Sequence, residues 1–345
     1  MVKPRIFARA TEHVEEQIDL VKRIEKKGFA YKTSDGIYFD TQAYERTGNV
    51  YGELSNLSEI KEGARVEVNP EKRDRHDFAL WKFSPKGEKR DMEWESPWGM
   101  GFPGWHIECS AMGMKYLGEQ FDVHVGGEDL KSTHHPNEIA QSEAATGAKP
   151  FVKYWIHGAF LLVDGGRMGK SLGNAYKIQD LEERGFSPMD LRYFYLTGHY
   201  RKPLNFTWEG LKAAREARQK LIRMVSEWGE AKVGCAEFES RFKEAIEDDL
   251  NMPQALAIVW ELVKSDYPGE AKKKSLLKFD EILGLGLGEI VKKEQAPQKV
   301  EELFERRRKL RDEGKWDEAD NLRKEIESLG WQVEDLGGGS RVTRR

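Results

Sequence analysis

A thiol, an imidazole and a carboxylate occur in an order and spacing that could bind a metal ion. These groups belong to Cys109, His134 and Glu138. If Thr133 or a neighbour caps a helix, His134 and Glu138 leave the same helix face one turn apart. Pro136 then falls in the first turn, where its missing N–H costs nothing. Sulfur, nitrogen and oxygen ligands suit tetrahedral zinc with one position left over, and an open position indicates chemistry.

The segments around these side chains predict one strand–helix–strand unit. Residues 120–125 form a short strand pattern, residues 133–147 a helical one, and residues 151–155 a second strand pattern. This order is typical of a parallel sheet. Ligands of such sheets bind at the carboxyl ends of the strands, so we expect Gly126, Gly127 and Asp129 at the binding edge.

The N-terminal part predicts a helix, a hairpin and an irregular connection. Apolar residues recur at helical spacing over residues 11–27, and Gly28 ends the pattern. Residues 29–40 alternate around Ser34-Asp35-Gly36, which favours a hairpin. Residues 77–98 are rich in tryptophan and punctuated by proline and glycine, so we expect an irregular insertion there.

The C-terminal part predicts helices. Helical periodicity dominates residues 208–287, with a helix opened at Asn251 and Pro253, and a small bundle is the expected result. A polar linker, residues 292–298, precedes a charged helical segment at 300–329, which Gly314 is expected to break.

The composition limits the class of protein. The chain has 345 residues, 39% hydrophobic and 34% charged, which is enough for two or three domains. It contains no apolar run long enough to cross a bilayer and no apolar signal segment, so we expect a cytoplasmic protein without a membrane partner. The two cysteines, Cys109 and Cys235, do not make a disulfide framework. A net charge of −4 argues against non-specific coating of nucleic acid, although a local basic face can bind RNA.

Several ordered motifs carry a resemblance to one family. They are PGWHIECSAM (103–112), HHPNEIAQSEA (134–144), YWIHGAFLLVDGGRMGKSLGN (154–174) and KWDEADNLRKEIESLGWQVEDLGGGSRVTRR (315–345). Together they resemble cysteinyl-tRNA synthetase, a class I aminoacyl-tRNA synthetase, from about Pro4 to Arg345. Ordered motifs in register are far more specific than any one of them alone.

The resemblance implies an α/β fold: a partial Rossmann-type parallel sheet, an all-α anticodon-side bundle and a small C-terminal domain. Residues 1–98 then hold the remainder of the first catalytic half and an insertion. Residues 99–207 hold the second half of the Rossmann domain with a stem-contact region. The helical tRNA-binding bundle spans residues 208–291, and the C-terminal domain residues 298–345.

The resemblance also implies a zinc site that selects the substrate. The family binds zinc through two cysteines, one histidine and one glutamate, and Cys109, His134 and Glu138 match three of these ligands. Zinc prefers a soft thiolate to an alcohol. It can therefore separate cysteine from serine, which a hydrophobic pocket alone discriminates by only about two orders of magnitude. Trp105 and His124 match positions in the wall of the amino-acid pocket. The alternative for Trp105 is a core aromatic.

A second motif implies an ATP site that works with Mg²⁺. Arg167, Met168, Gly169, Lys170 and Ser171 resemble the Lys-Met-Ser-Lys-Ser loop of class I synthetases, with arginine and glycine at two of its positions. Lys170 is the cation that can neutralise charge growing on the triphosphate. Taken alone, such a loop is usually a surface turn.

Another short match implies where the nucleoside is held. Gly127 and Asp129 resemble the family's Gly-x-Asp, whose carboxylate accepts hydrogen bonds from the adenosine ribose.

The implied function is cysteine–tRNA ligase, an enzyme that converts cysteine and ATP to cysteinyl-adenylate and transfers the acyl group to cysteine tRNA. One departure qualifies it, since the family's N-terminal half-Rossmann segment, with its His-x-Gly-His motif and first zinc cysteine, has no match here. We therefore expect a fragment or split form that does not make the adenylate alone. A separate polypeptide is one source of the missing half.

Two other functions remain open from the sequence. One is a paralogue that binds tRNA or zinc without catalysis, and the other is a ligase that joins cysteine to an amino sugar. The retained metal donors and Lys170 argue against decay. The C-terminal segment 300–345 favours the tRNA enzyme.

The remaining polar residues are expected to be structural. His135 points about 100° away from His134 round a helix and is not expected to ligate the same ion. Residues 306–311 are expected to form a solvated helix face. The alternative, which the resemblance implies, is that these cations contact tRNA phosphates. Scaffold roles are also expected for His106, His157, His199 and the small thiol Cys235.

Overall fold

The computed structural model describes residues 3–55, 69–85, 87, 90–229, 232–288, 296–336 and 339–344. The chain divides into two compact units. The first comprises Met1–Phe160 with Tyr200–Pro203, and the second comprises Leu161–His199 with Leu204–Arg345.

Within its described residues, the first unit combines four helices with an antiparallel sheet and a parallel strand pair. Its helices are α1 (Val14–Lys26), α2 (Thr41–Arg46), α3 (Trp105–Leu117) and α4 (His134–Thr146). Its strands are β1 (Ala30–Lys32), β2 (Gly36–Phe39), β3 (Phe78–Phe83), β4 (Gly101–Pro103), β5 (Phe121–Gly127) and β6 (Val152–Gly158).

The amphipathic pattern near the N-terminus forms α1, as predicted. Val14, Ile18, Val21 and Ile24 are buried on one face, which packs against α3 and α4. The chain leaves the helix through Gly28, whose φ of +82° lies in the left-handed region that glycine adopts without strain. Helix α1 thus forms one wall of the core behind the two helices that carry the candidate site.

The antiparallel sheet corrects one expectation. The hairpin β1–β2 forms as predicted, but residues 78–83 form a regular strand that pairs with both β2 and β4. Trp81 and Leu80 are fully buried on this strand. The prediction of an irregular insertion over 77–98 was therefore wrong for its first part, because tryptophans that bury themselves in a sheet obscured the strand pattern.

The strand–helix–strand unit is confirmed. Strands β5 and β6 pair in parallel from Phe121↔Val152 to Gly127↔Gly158, and α4 connects them. Thr133 occupies the N-cap position, but its side chain makes no capping hydrogen bond to the described backbone. Helix α4 is buried along its length, polar residues included, so its histidines and carboxylates are held away from bulk water.

The second unit begins with short strands and continues as helices. Its strands are β7 (Leu161–Val163), β8 (Gly166–Arg167), β9 (Leu204–Phe206), β10 (Trp331–Leu336) and β11 (Gly339–Arg344). Its helices are α5 (Ile178–Glu183), α6 (Pro188–Leu196), α7 (Trp208–Glu227), α8 (Ala236–Glu247), α9 (Met252–Lys264), α10 (Gly269–Leu283), α11 (Gln298–Asp312) and α12 (Trp316–Ser328).

The structure confirms the helix start and the helix break that were predicted in this unit. Asn251 caps α9, its side chain accepting a hydrogen bond from Gln254 N at 3.3 Å. Gly314, with φ +75°, separates α11 from α12. Arg307 in α11 is buried, so residues 306–311 are not wholly the solvated face that was expected.

The C-terminal segment contains a hairpin that was not predicted. Strands β10 and β11 pair antiparallel, and Trp331 and Val333 of β10 are buried with Val300 and Ile326. The glycine-rich composition concealed this small core. Most of the predicted linker lies outside the described residues, which resume at residue 296. The mixed α/β fold class with a parallel strand pair, a helical bundle and a small C-terminal domain is confirmed.

No helix within the described ranges is long and apolar enough to span a membrane.

Candidate metal and amino-acid site

Two packed helices bring the predicted metal donors together. Cys109 lies in α3, and His134 and Glu138 lie one turn apart at the start of α4. One ligand atom from each side chain lies within 4.8 Å of the other two. The sequence order therefore becomes a spatial cluster because α3 and α4 pack against one another.

Glu138 gives the strongest indication that the cluster binds a cation. Its side chain is fully buried, and neither carboxylate oxygen makes a hydrogen bond to any group in the described part of the chain. The nearest imidazole nitrogens to its Oε1 are His134 Nε2 at 3.0 Å and His124 Nε2 at 3.7 Å. A buried carboxylate is costly unless it is paired or coordinates a metal, so this environment fits a bound cation.

His134 is oriented by His106, a residue for which only a scaffold role was expected. His134 Nδ1 lies 2.9 Å from His106 Nδ1. This contact leaves Nε2 of His134 facing Glu138. A metal-ligating histidine usually has its other ring nitrogen held by a hydrogen-bonding partner, and His106 occupies that place.

The charge state of Cys109 depends on a cation. Burial, and then the negative charges of Glu138 and Glu108, raise the pKa of the Cys109 thiol to about 12. The protein alone therefore keeps this sulfur protonated at neutral pH. Metal ligation requires the thiolate, and a nearby cation lowers a thiol pKa, so the sulfur becomes a ligand only together with a cation. The three donors are of the types that zinc binds.

The two residues assigned to the pocket wall lie beside the cluster. Trp105 is 49% exposed, so it is not the core aromatic of the alternative interpretation. Its ring centroid lies 4.3 Å from that of His134. His124 is half-buried in β5, and burial lowers the pKa of its imidazole. Both side chains can thus contact a small molecule that reaches the cluster.

The predicted nucleoside residues stand at the carboxyl end of β5. Gly127 ends this strand, and Asp129 follows in a short 3₁₀ turn with its side chain exposed. A Cβ at Gly127 would lie 2.5 Å from Asp129 Oδ1. The Asp129 carboxylate therefore lies close to the Gly127 backbone at the end of the strand.

The loop from Arg167 to Ser171 lies in the second unit. It begins at Arg167, the last residue of β8, and Lys170 begins a short 3₁₀ turn with its side chain exposed. The Asn174 side chain accepts a hydrogen bond from Gly169 N at 2.8 Å and donates one to Arg167 O at 3.0 Å. These two hydrogen bonds fix the backbone of the surface turn, which consists of Arg167, Met168, Gly169, Lys170 and Ser171.

The sequence did not predict the surroundings of His135. This residue is fully buried, and one of its nitrogens falls in a second donor group with His124 and Glu138. The repeated His-His dipeptide was the available signal. Helical geometry predicted that the His134 and His135 rings point in different directions, but it did not show which residues face His135.

Comparison with known proteins identifies the class and then the family. A family model described as the class I (C) tRNA synthetase catalytic domain matches residues 1–216. Models described as the DALR domain and the cysteinyl-tRNA ligase anticodon binding domain match residues 241–265 and 293–342. These matches define a class I aminoacyl-tRNA synthetase. Within that class, the chain belongs to the cysteine–tRNA ligase family.

Individual relatives agree with this assignment. Cysteine–tRNA ligase 1 of Burkholderia lata is 44% identical over 346 residues, covering 99% of this chain and 72% of that protein. Cysteine–tRNA ligase of Thermococcus onnurineus is 41% identical over 373 residues, covering 98% and 76%. The chain is accordingly an aminoacyl-tRNA ligase of protein biosynthesis. These comparisons give no support to a separate polypeptide as partner.

A solved structure supports the fold alone. Mycobacterium tuberculosis methionyl-tRNA synthetase in complex with methionyl-adenylate aligns with a TM-score of 0.50 and 15% identity. The alignment covers 81% of this chain and 73% of that one.

Proposed function

We propose that Cys109, His134 and Glu138 hold Zn²⁺ and that this site selects cysteine for attachment to tRNA. The observation that carries the proposal is the buried Glu138 carboxylate, which makes no hydrogen bond to a described group and lies beside a sulfur and a nitrogen donor. Zinc bound there prefers a thiolate to an alcohol and so supplies discrimination against serine.

The protein residues around the donors give the site its shape. Trp105, half-exposed against His134, and His124 on β5 wall the amino-acid pocket. Because burial lowers the pKa of His124, its imidazole is neutral at pH 7 and does not repel the substrate's ammonium group. His106 positions His134 through its Nδ1 contact.

Activation of cysteine requires ATP with Mg²⁺, for which Gly127, Asp129 and Lys170 are the candidate residues. In the first unit, Gly127 and Asp129 hold the ribose through the exposed carboxylate at the end of β5. In the second unit, Lys170 neutralises the charge that grows on the triphosphate as the cysteine carboxylate attacks the α-phosphorus. The acyl group then passes to the terminal ribose of cysteine tRNA, in the cytoplasm.

The amino-sugar ligase is the weaker alternative. The match of residues 293–342 to an anticodon binding domain favours a tRNA substrate.

Cobalt substitution of the full chain tests the zinc assignment, and Cys235 serves as the matched control. Bound to a thiolate, Co²⁺ gives a sulfur-to-metal charge-transfer band. We expect this band in the wild type and in Cys235→Ala, but not in Cys109→Ala. Zinc affinity and the preference for cysteine over serine should also fall in Cys109→Ala. Unchanged zinc affinity, or a band that survives in Cys109→Ala, would refute the ligand role of Cys109.

A further inference from the structure

A second group of donor atoms shares Glu138 with the proposed zinc site but does not include Cys109. One ligand atom each from His124, His135 and Glu138 lies within 4.8 Å of the others. Among the described residues, this group and the cysteine-containing one are the two clusters of at least three such donors. The second group contains nitrogen and oxygen donors and no sulfur.

His135 is the strongest sign that this group binds a ligand. Its side chain is fully buried. Nδ1 lies 2.8 Å from His157 Nε2, whereas Nε2 has no hydrogen-bond partner in the described part of the protein. A buried polar nitrogen without a partner is costly, and native proteins rarely keep one. The contact with His157 holds the ring as an outer partner holds a metal-ligating histidine.

Glu138 can serve this group as well as the first. Both of its oxygens lack a hydrogen bond to any described group, and His124 Nε2 lies 3.7 Å from Oε1. An ionised carboxylate offers about four lone-pair sites, more than one ligand bond uses. His134 and His135 are adjacent in α4 and therefore point about 100° apart, so each faces a different side of the carboxylate.

We propose that His124, His135 and Glu138 form a second cation position, free of thiolate, for a divalent transition ion such as Co²⁺ or Ni²⁺. Imidazole and carboxylate donors suit these borderline ions. The position depends on the donor geometry and not on the selection of cysteine by zinc, so it goes beyond the function proposed above.

Cobalt binding to the full-length Cys109→Ala chain tests this second position directly. We expect the desalted variant to retain Co²⁺, with ligand-field bands in the visible range and no sulfur-to-cobalt band. Adding His135→Gln should abolish this binding, whereas adding His134→Gln should preserve it. Adding His157→Gln should weaken it by about 10–100-fold, the usual cost of removing an outer partner. His106→Gln in the same background is the matched control and should leave it unchanged.

The outcomes separate the two sites. Failure of Cys109→Ala to bind Co²⁺ overturns the second position, and so does binding that His134→Gln removes while His135→Gln does not. Circular dichroism verifies that each variant is folded. If His135→Gln does not fold, His124→Gln on the half-exposed strand takes its place, and retained Co²⁺ in that variant overturns the proposal. Loss of cysteine selection concerns only the zinc site.

Discussion

At the scale of single residues, the geometry of the candidate metal site depends on neighbouring side chains that orient the donor groups. Glu138 is buried with no hydrogen bond to a described group, and His134 is aimed at it by His106 from the neighbouring helix. Cys109 ionises only when a cation compensates its burial and the nearby carboxylates. The ability to bind a cation is therefore a property of the whole cluster, because the orientation of His134 and the ionisation of Cys109 depend on the neighbouring groups.

Removal of the His106 imidazole should loosen the zinc site. We expect His106→Ala to lower zinc affinity by about 10–100-fold, because His134 loses the partner that fixes its ring. His106→Gln can keep a hydrogen-bonding group near His134 and should restore part of the affinity. His199→Ala, in the other unit, is the control. Competition with a zinc-binding dye gives the affinities, and equal values for wild type and His106→Ala would contradict the role.

At the scale of secondary-structure elements, burial decides which polar contacts matter. Helices α6 and α7 of the second unit are joined by a buried ion pair, in which Arg218 Nε lies 2.8 Å from Asp190 Oδ1. The side chains are only 9% and 2% exposed. Asp190 also accepts a hydrogen bond from Ser187 N at the start of α6. This pair links the cap of α6 to the packing of α7, the longest helix among the described residues.

Breaking this pair should be strongly destabilising. Arg218→Met leaves the Asp190 carboxylate buried without its cation, so we expect a loss of about 3–5 kcal/mol in the free energy of unfolding. Lys212→Met, exposed on the same helix, is the matched control and should change stability by at most about 0.5 kcal/mol. Chemical denaturation followed by circular dichroism measures both. A loss for Arg218→Met no larger than that of the control would show that water still reaches Asp190.

At the scale of the whole molecule, the protein has a net charge of the same sign as the tRNA that it binds. The net charge is −4, yet the family assignment makes tRNA the partner. Binding therefore depends on local groups of lysine and arginine that outweigh the average charge at short range, because salt screens charges beyond about 10 Å. Specific recognition and electrostatic attraction should both contribute.

Salt dependence separates these two contributions. We expect retention of cysteine tRNA from total tRNA, with an association constant that falls linearly with salt on a double-logarithmic scale as counterions are released. Other tRNAs should be retained more weakly at every salt concentration. Filter binding with purified tRNAs provides the measurement. Absence of selective retention would favour the amino-sugar ligase.

Local pattern was enough for much of the fold and for the choice of Cys109, His134 and Glu138 as the proposed zinc donors. The spacing in α1, the glycines that end helices and the strand–helix–strand order depend on neighbours within a few residues. The same is true of His134 and Glu138, whose separation by one helical turn needs no tertiary information. The ordered motifs then pointed to the family.

Tertiary structure alone decided what surrounds these groups. The approach of Cys109 to α4, the contact of His106 with His134 and that of His135 with His157 all join residues from different elements, whose distance depends on packing and not on sequence spacing. Strand β3 and the C-terminal hairpin were missed for the same reason: their stability comes from cross-strand pairing and shared burial. The sequence alone determined the proposed zinc donors, but only the packing of the helices placed the Glu138 carboxylate within reach of both donor groups.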